Sequence, residues 1–221
     1  MQKNKISSQT KKPKLLLATT NQGKAKEFID LLGPLQIDVL TLSDLKTRGP
    51  TFPEAVENGS SFHENAVIKA DHYLKSTRLP TLADDSGLCV WALDGRPGIH
   101  SARFGGESIS DPERCRKLIA LMEQKTDRRA WFETALALKV PASDRVMCWR
   151  ARLEGVLTYQ PLGTNGFGFD CIFVPEGFTR TLAQMTINEK NLLSHRSLAI
   201  AEMVKDVEEI KKLLAGCGEE L

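Results

Sequence analysis

Apolar and polar positions change period several times along the chain, and each change marks an element. "KLLLAT" is a short continuous apolar run, as expected of a strand covered on both faces. The following "GKAKEFIDLLGP" switches to helical spacing, placing Phe28, Leu31 and Leu32 on one face before Gly33 and Pro34 stop the helix. "LQIDVLTL" predicts a second strand. "SSFHENAVIKADHYLK" opens with a capping box from Ser61 to Glu64 and carries Phe62, Ala66, Ala70, Tyr73 and Leu74 at helical spacing. "PTLAD" then predicts a third strand. Strands alternating with helices in this way favour a parallel or mixed sheet covered by helices.

The middle of the chain has a different character. After a helix announced by "SDPERCRKLIALM", the segments "RAWFETALALKV" and "RVMCWRARLEGVL" are long, alternating and joined by the turn-like "PASD". They predict an antiparallel hairpin that extends the sheet. A long closing helix is expected from about Ser194, with Ile200, Met203, Val204, Val207, Ile210 and Leu214 on one stripe and Gly216 as its stop. The fold class is therefore α/β, with an elongated mixed sheet flanked by helices.

Composition narrows the function classes more than the fold. With 221 residues, 41% hydrophobic and 26% charged, the chain can bury a sizeable core, and a net charge of +2 gives no nucleic-acid footprint. No run is long enough to span a bilayer, so neither nucleic acid nor membrane is expected as a partner. The five cysteines are scattered without metal-ligand spacing, which argues for free thiols in a reducing cytoplasm. Residues 1–13 are basic and read as a solvated tail.

Three loops carry candidate chemistry. In "ATTNQGKAKEF" a strand turns into a helix through Thr19, Thr20, Asn21, Gln22 and Gly23, leaving backbone N–H groups free to meet an anion. Lys24 in the first helical turn opposes the macrodipole, a placement that suits a bound phosphate. An ordinary turn with a surface lysine fits the same residues, and the Walker pattern is absent. Asp84 and Asp85 stand at the expected carboxyl end of a strand, where hard oxygen ligands suit Mg²⁺, while an Asx-type turn is the structural alternative. Asn65 and Lys69, four apart, share a helix face from which both could reach phosphates. "GTNGFGFDCIFVP" offers an aromatic face for a base beside permissive glycines, and "NEKNLLSHRSLAI" crowds Lys190, His195 and Arg196 at a helix start capped by Ser194.

Taken together, "TTNQGKAKEF", "FHENAVIKA", "LADDSGLCVWALDGRPGIHSARF", "GFGFDCIFVP" and "EKNLLSHRSLA" resemble, in order and spacing, the inosine triphosphate pyrophosphatase family. The resemblance covers nearly the whole chain after the tail. It implies one domain over 14–221, two lobes around a central cleft, a homodimer, and Mg²⁺-dependent hydrolysis of ITP, dITP and XTP to monophosphate and pyrophosphate. It also implies roles. Thr19 to Lys24 hold the triphosphate with help from Lys69; Glu57, Asp84 and Asp85 match the metal-site acids, and Asp85 matches the general base. Ser86 matches a substrate contact, and Phe167 matches the aromatic that stacks on the base. Gly168, Phe169 and Asp170 complete the base pocket, and Lys190, His195 and Arg196 read the purine edge.

The chain departs from the usual "GFGYDPIF" at Phe169 and Cys171, and Gln184 stands where a glutamate is usual. Each departure is expected to loosen the base pocket, which leaves a broader or modified-pyrimidine specificity open. A nucleotide-binding module without turnover is the alternative from another class. It predicts damage to the acid cluster, whereas Glu57, Asp84 and Asp85 are all present.

Overall fold

The computed structural model describes residues 12–47, 52–106 and 108–217. The basic tail up to Lys11 lies outside them. Six strands form one sheet in the order β2-β1-β3-β4-β5-β6. The strands are β1 (Lys14–Ala18), β2 (Asp38–Thr41), β3 (Thr81–Val90), β4 (Arg129–Lys139), β5 (Val146–Leu157) and β6 (Phe173–Pro175). The helices are α1 (Gln22–Leu32), α2 (Leu42–Lys46), α3 (Phe62–Thr77), α4 (Asp111–Leu121), α5 (Ile187–Asn191), α6 (His195–Val204) and α7 (Val207–Gly216). β1 runs parallel to β2 and β3, whereas β3, β4, β5 and β6 pair antiparallel, so the sheet is mixed.

Burial follows the sequence pattern. Leu15, Leu16 and Leu17 of β1 are all buried because helices cover both faces of the parallel part. α3 lays Phe62, Ala66, Ala70 and Tyr73 against the sheet, its alanines allowing a close approach. β5 instead alternates, with Met147 and Trp149 buried and Arg150 and Arg152 facing outward. No helix among the described residues is long and apolar enough to cross a membrane.

Three sequence expectations are corrected. The third strand does not end at the aspartates: β3 runs on to Val90. Its pairing with β1 stops at Ala83, so Asp84 and Asp85 sit where β1 turns away and only β4 continues alongside. The capping box is displaced by one residue. Ser61 accepts from the Glu64 N–H, but the Glu64 carboxylate reaches back to Ser60. The closing helix is broken at Lys205 and Asp206, where the Asp206 carboxylate accepts a 2.7 Å hydrogen bond from the Trp149 indole instead of capping α7. Val204, expected on the apolar stripe, is exposed.

Candidate active site

The first wall of the site is the β1–α1 turn. Asn21 caps α1, its Oδ1 accepting from the Lys24 N–H at 3.0 Å, and Thr19 Oγ1 accepts from the Asn21 N–H at 3.2 Å. These short polar side chains set the entry angle of α1 and occupy the Asn21 and Lys24 N–H groups.

Across from this turn, the two aspartates occupy different environments. Asp84 is fully buried; its Oδ2 accepts from Lys24 Nζ and from Ser86 Oγ, both at 3.0 Å. Its Oδ1 has no hydrogen-bond partner among the described residues. Burial would raise the Asp84 pKa, but the nearby charges of Lys24, Lys69 and Arg196 outweigh it and hold the carboxyl below its ordinary value. At Asp85 burial wins. The carboxyl is pushed up to about 6, against the pull of Lys69, Lys24 and a 3.0 Å hydrogen bond from Asn65.

Lys69 and Asn65 do share a helix face, as their spacing predicts, but what they touch is the aspartate pair. Lys69 Nζ donates to the Asp84 backbone carbonyl at 2.9 Å and lies 3.0 Å from Glu57 Oε1. Glu57, Asp84 and Asp85 thus gather around one ammonium group. Among the described residues no three carboxylate, imidazole or thiol groups converge into a ready-made metal cage. The fit to Mg²⁺ rests on chemistry of another kind: an orphaned buried carboxylate oxygen beside a second carboxylate, for an ion that takes one or two protein carboxylates and completes its shell with water and phosphate oxygens.

The opposite wall is built by the glycine-rich loop and the start of α6. Asp170 holds its loop closed, accepting from the Phe167 N–H at 2.9 Å, while Asp111 of α4 accepts from the Gly168 N–H at 2.6 Å. The Phe167 ring lies 4.7 Å from Lys190 Nζ and 5.0 Å from the Arg196 guanidinium carbon, and it packs on Gly23. A Cβ at Gly23 would stand 2.5 Å from the ring, so glycine there is what lets Phe167 approach the β1–α1 turn. Ser194 caps α6 as expected.

Behind Phe167 is a buried charge network. Glu27 of α1 accepts from Lys190 Nζ at 2.7 Å and from Arg196 Nε, and Lys190 also pairs with Asp170. Lys190 is 2% exposed and does not line the cavity. His195 does line it, stacked on Phe132 at 4.5 Å. Burial, with the charges of Arg196 and Lys190, drives its pKa well below the ordinary value, so the imidazole is neutral. Arg196 lies 2.7 Å from His195 Nε2 and can only donate, so Nε2 accepts and Nδ1 carries the hydrogen. That Nδ1–H is buried and has no partner among the described residues.

Between the walls lies a cavity of about 340 Å³. Thr19, Thr20, Asn21 and Lys24 line one side, Glu57, Lys69, Asp85 and Ser86 its floor, and Phe167 to Asp170 with His195 and Arg196 the other side. Gln22 and Gly23 support the turn from outside the lining, and Asp84 stands behind Asp85. Sequence reasoning missed Glu27, which looks like one more charge on a lysine-rich helix face. It also missed Asp111, which looks like an ordinary first-turn acid. Of the sequence departures, Phe169 is a buried wall of the cavity, while Gln184 lies on the surface, capping a turn by accepting from the Thr181 N–H at 3.0 Å.

Comparison with known proteins bears on the family and the fold. The Ham1 family profile matches residues 15–206. A dITP/XTP pyrophosphatase of Desulfotalea psychrophila is 39% identical over 202 residues, covering 91% of this chain and 88% of that protein. One of Vibrio cholerae is 43% identical over 201 residues, covering 89% and 97%. The solved HAM1 protein of Coxiella burnetii superposes with a TM-score of 0.79 at 36% identity, covering 89% of this chain and 99% of that one. The Staphylococcus aureus Ham1 protein gives 0.76 at 34% identity, covering 89% and 98%.

Proposed function

The chain belongs to the Ham1 family, and on that premise we propose that it is a nucleoside triphosphate pyrophosphatase acting on ITP, dITP and XTP. The products are the nucleoside monophosphate and pyrophosphate. The triphosphate lies along Thr19 to Lys24, with Lys24 and Lys69 neutralising phosphate charge. Asp85 takes the proton from the water that attacks the α-phosphorus, and pyrophosphate leaves. An acid with a pKa near 6 suits a general base, being ionised at neutral pH yet basic enough to accept a proton. Asp84 Oδ1, Asp85 and Glu57 would hold Mg²⁺, which supplies charge stabilisation on the phosphate oxygens when bound.

The single observation that carries the base preference is the partnerless Nδ1–H of His195. A buried donor left unmade costs about 1–3 kcal/mol, and a 6-oxo purine offers a carbonyl acceptor that removes that penalty. An adenine presents an amino donor at the same position and leaves the penalty in place. Phe167 supplies a stacking face, and Arg196 fixes the His195 tautomer. Assembly as a homodimer in the cytoplasm belongs to the same reading.

The test is to incubate the purified chain with Mg²⁺ and, separately, dITP, XTP, dGTP, dATP and dUTP, resolving pyrophosphate from orthophosphate. Monophosphate and pyrophosphate from dITP and XTP are expected, with little from dATP, which lacks the 6-oxo acceptor; guanine carries that acceptor too, so low dGTP turnover is expected from the family reading and not from the His195 donor. Comparable turnover of dUTP would move the reading to a broad pyrophosphatase, and tight binding without turnover would make the chain a nucleotide-binding module. Chelation is expected to abolish activity and added Mg²⁺ to restore it, while sedimentation equilibrium reads the oligomeric state.

A further inference from the structure

One turn of α4 holds Gly168 from both sides. Asp111 accepts from the Gly168 N–H at 2.6 Å, and Cys115, four residues on, donates its thiol to the Gly168 carbonyl at 3.3 Å. Gly168 has φ +61°, a left-handed conformation that glycine adopts without strain, and the two contacts from α4 hold its N–H and its carbonyl. Cys115 is also in contact with a second thiol. Cys171 Sγ lies 3.5 Å from Cys115 Sγ, although 56 residues separate them in sequence. All five cysteines are free, and no other thiol pair stands at hydrogen-bond distance among the described residues. Cys171 is also one of the chain's departures from the usual "GFGYDPIF".

We propose that Cys115 and Cys171 form a reversible dithiol/disulfide site, and that closing the disulfide loosens the hold of α4 on the loop at Gly168. The two thiols are unequal, as such exchange requires. Cys115 is fully buried, whereas Cys171 is partly exposed and is the more accessible residue of the two. The contact with Cys115 lowers the Cys171 pKa, which raises its thiolate fraction, while the same contact and burial raise that of Cys115.

With a small disulfide such as oxidised glutathione, the Cys171 thiolate attacks one sulfur and releases one glutathione, leaving a mixed disulfide. The Cys115 sulfur, losing its proton to solvent, then attacks the Cys171 sulfur and releases the second glutathione. Two protein thiols are oxidised, one oxidised glutathione is reduced to two thiols, and the protein loses two hydrogens. The sulfurs close from 3.5 Å to about 2.05 Å. Cys115 then has no S–H to donate, so the Gly168 carbonyl loses this donor and only the Asp111 contact remains. Disulfide formation stands on the sulfur geometry alone; its effect on catalysis rests on reading Phe167 to Asp170 as the base loop, and separate readouts distinguish the two.

The experiment exposes the full chain to oxidised glutathione and measures intact mass, disulfide-linked peptides and steady-state kinetics with dITP, before and after dithiothreitol. Expected are a loss of about 2 Da, a peptide link between Cys115 and Cys171, and a several-fold rise in KM, all reversed by dithiothreitol. Cys171→Ser and Cys171→Pro should show neither the link nor the oxidant-dependent change in KM. Stable glutathione adducts without the link, or a link between other cysteines, would overturn the site. A Cys115–Cys171 link with KM unchanged would overturn its coupling to the loop.

Discussion

Lys24 Nζ lies 3.0 Å from Asp84 Oδ2, joining residues sixty apart in sequence and tying the first turn of α1 to β3. The contact makes the β1–α1 turn and the acid pair one unit. Replacing Lys24 by methionine leaves a fully buried carboxylate with Ser86 as its remaining side-chain donor, and a broken buried pair costs about 3–5 kcal/mol. Lys24→Met should therefore lower Tm as well as activity. Adding Asp84→Asn should recover part of the Tm but none of the turnover. An unchanged Tm in the single variant would show that the ammonium serves the substrate alone.

Asp85 gives a pH signature with a definite sign. Its ordinary value is 3.8 and its folded value about 6. Below 3.8 the group is protonated in both folded and unfolded chains and costs nothing; above 6 it is ionised in both, and the folded chain bears the burial penalty. Metal-free protein should thus lose stability as pH rises from about 4 to about 6, by about 3 kcal/mol at 1.4 kcal/mol per unit. Asp85→Asn removes that penalty, so at pH 7 it should melt higher than the parent while turnover is lost and nucleotide binding kept. In the parent, kcat/KM should fall on the acid side as Asp85 is protonated, and bound Mg²⁺ should move that limb below the metal-free value. A variant that turns over normally removes Asp85 from the base role.

The sequence makes the phosphate side of this site readable because its residues offend local rules. A lysine in the first turn of a helix and two adjacent acids after an apolar run each demand a reason beyond their own element. Glu27 offends nothing locally, lying among Lys24 and Lys26 on a helix that tolerates charge. Its 2% exposure follows only from Arg196, 169 residues away, and from Lys190. The length of β3 is hidden for a related reason: Asp84 and Asp85 read as the end of a strand or an Asx-type turn, and only the partner strand β4, known after folding, keeps the chain extended to Val90. Local pattern shows where a chain bends or binds, while long-range pairing decides which charges are buried.

Glu27 should therefore act on specificity without touching substrate. Its carboxylate takes both Lys190 and Arg196, and Arg196 in turn sets the tautomer of His195. Glu27→Gln weakens that hold. The expected outcome is a drop of about tenfold in the ratio of kcat/KM for dITP over dATP, near the roughly 1.5 kcal/mol of a hydrogen bond to a charged group. kcat for dITP should change less than KM. A uniform fall for both nucleotides, with the ratio intact, would assign Glu27 to folding alone.

Gly23 and Phe167 allow a sharper test, because the two walls meet there. Alanine at Gly23 favours the helix by up to about 1 kcal/mol, so Gly23→Ala should fold and melt at or above the parent temperature. Its Cβ, however, would lie 2.5 Å from Phe167 Cδ1, and the ring must move off the turn. Loss of the stacking face costs about 1–3 kcal/mol, seen as a higher KM for dITP with kcat nearly kept. Phe167→Ala should raise KM by a similar factor through direct loss of the ring. In the double variant the new methyl group meets no ring, so its KM should match that of Phe167→Ala alone, a strongly non-additive cycle. Additive increases would mean that Gly23 acts on the phosphates through its backbone and that its contact with Phe167 is incidental to binding.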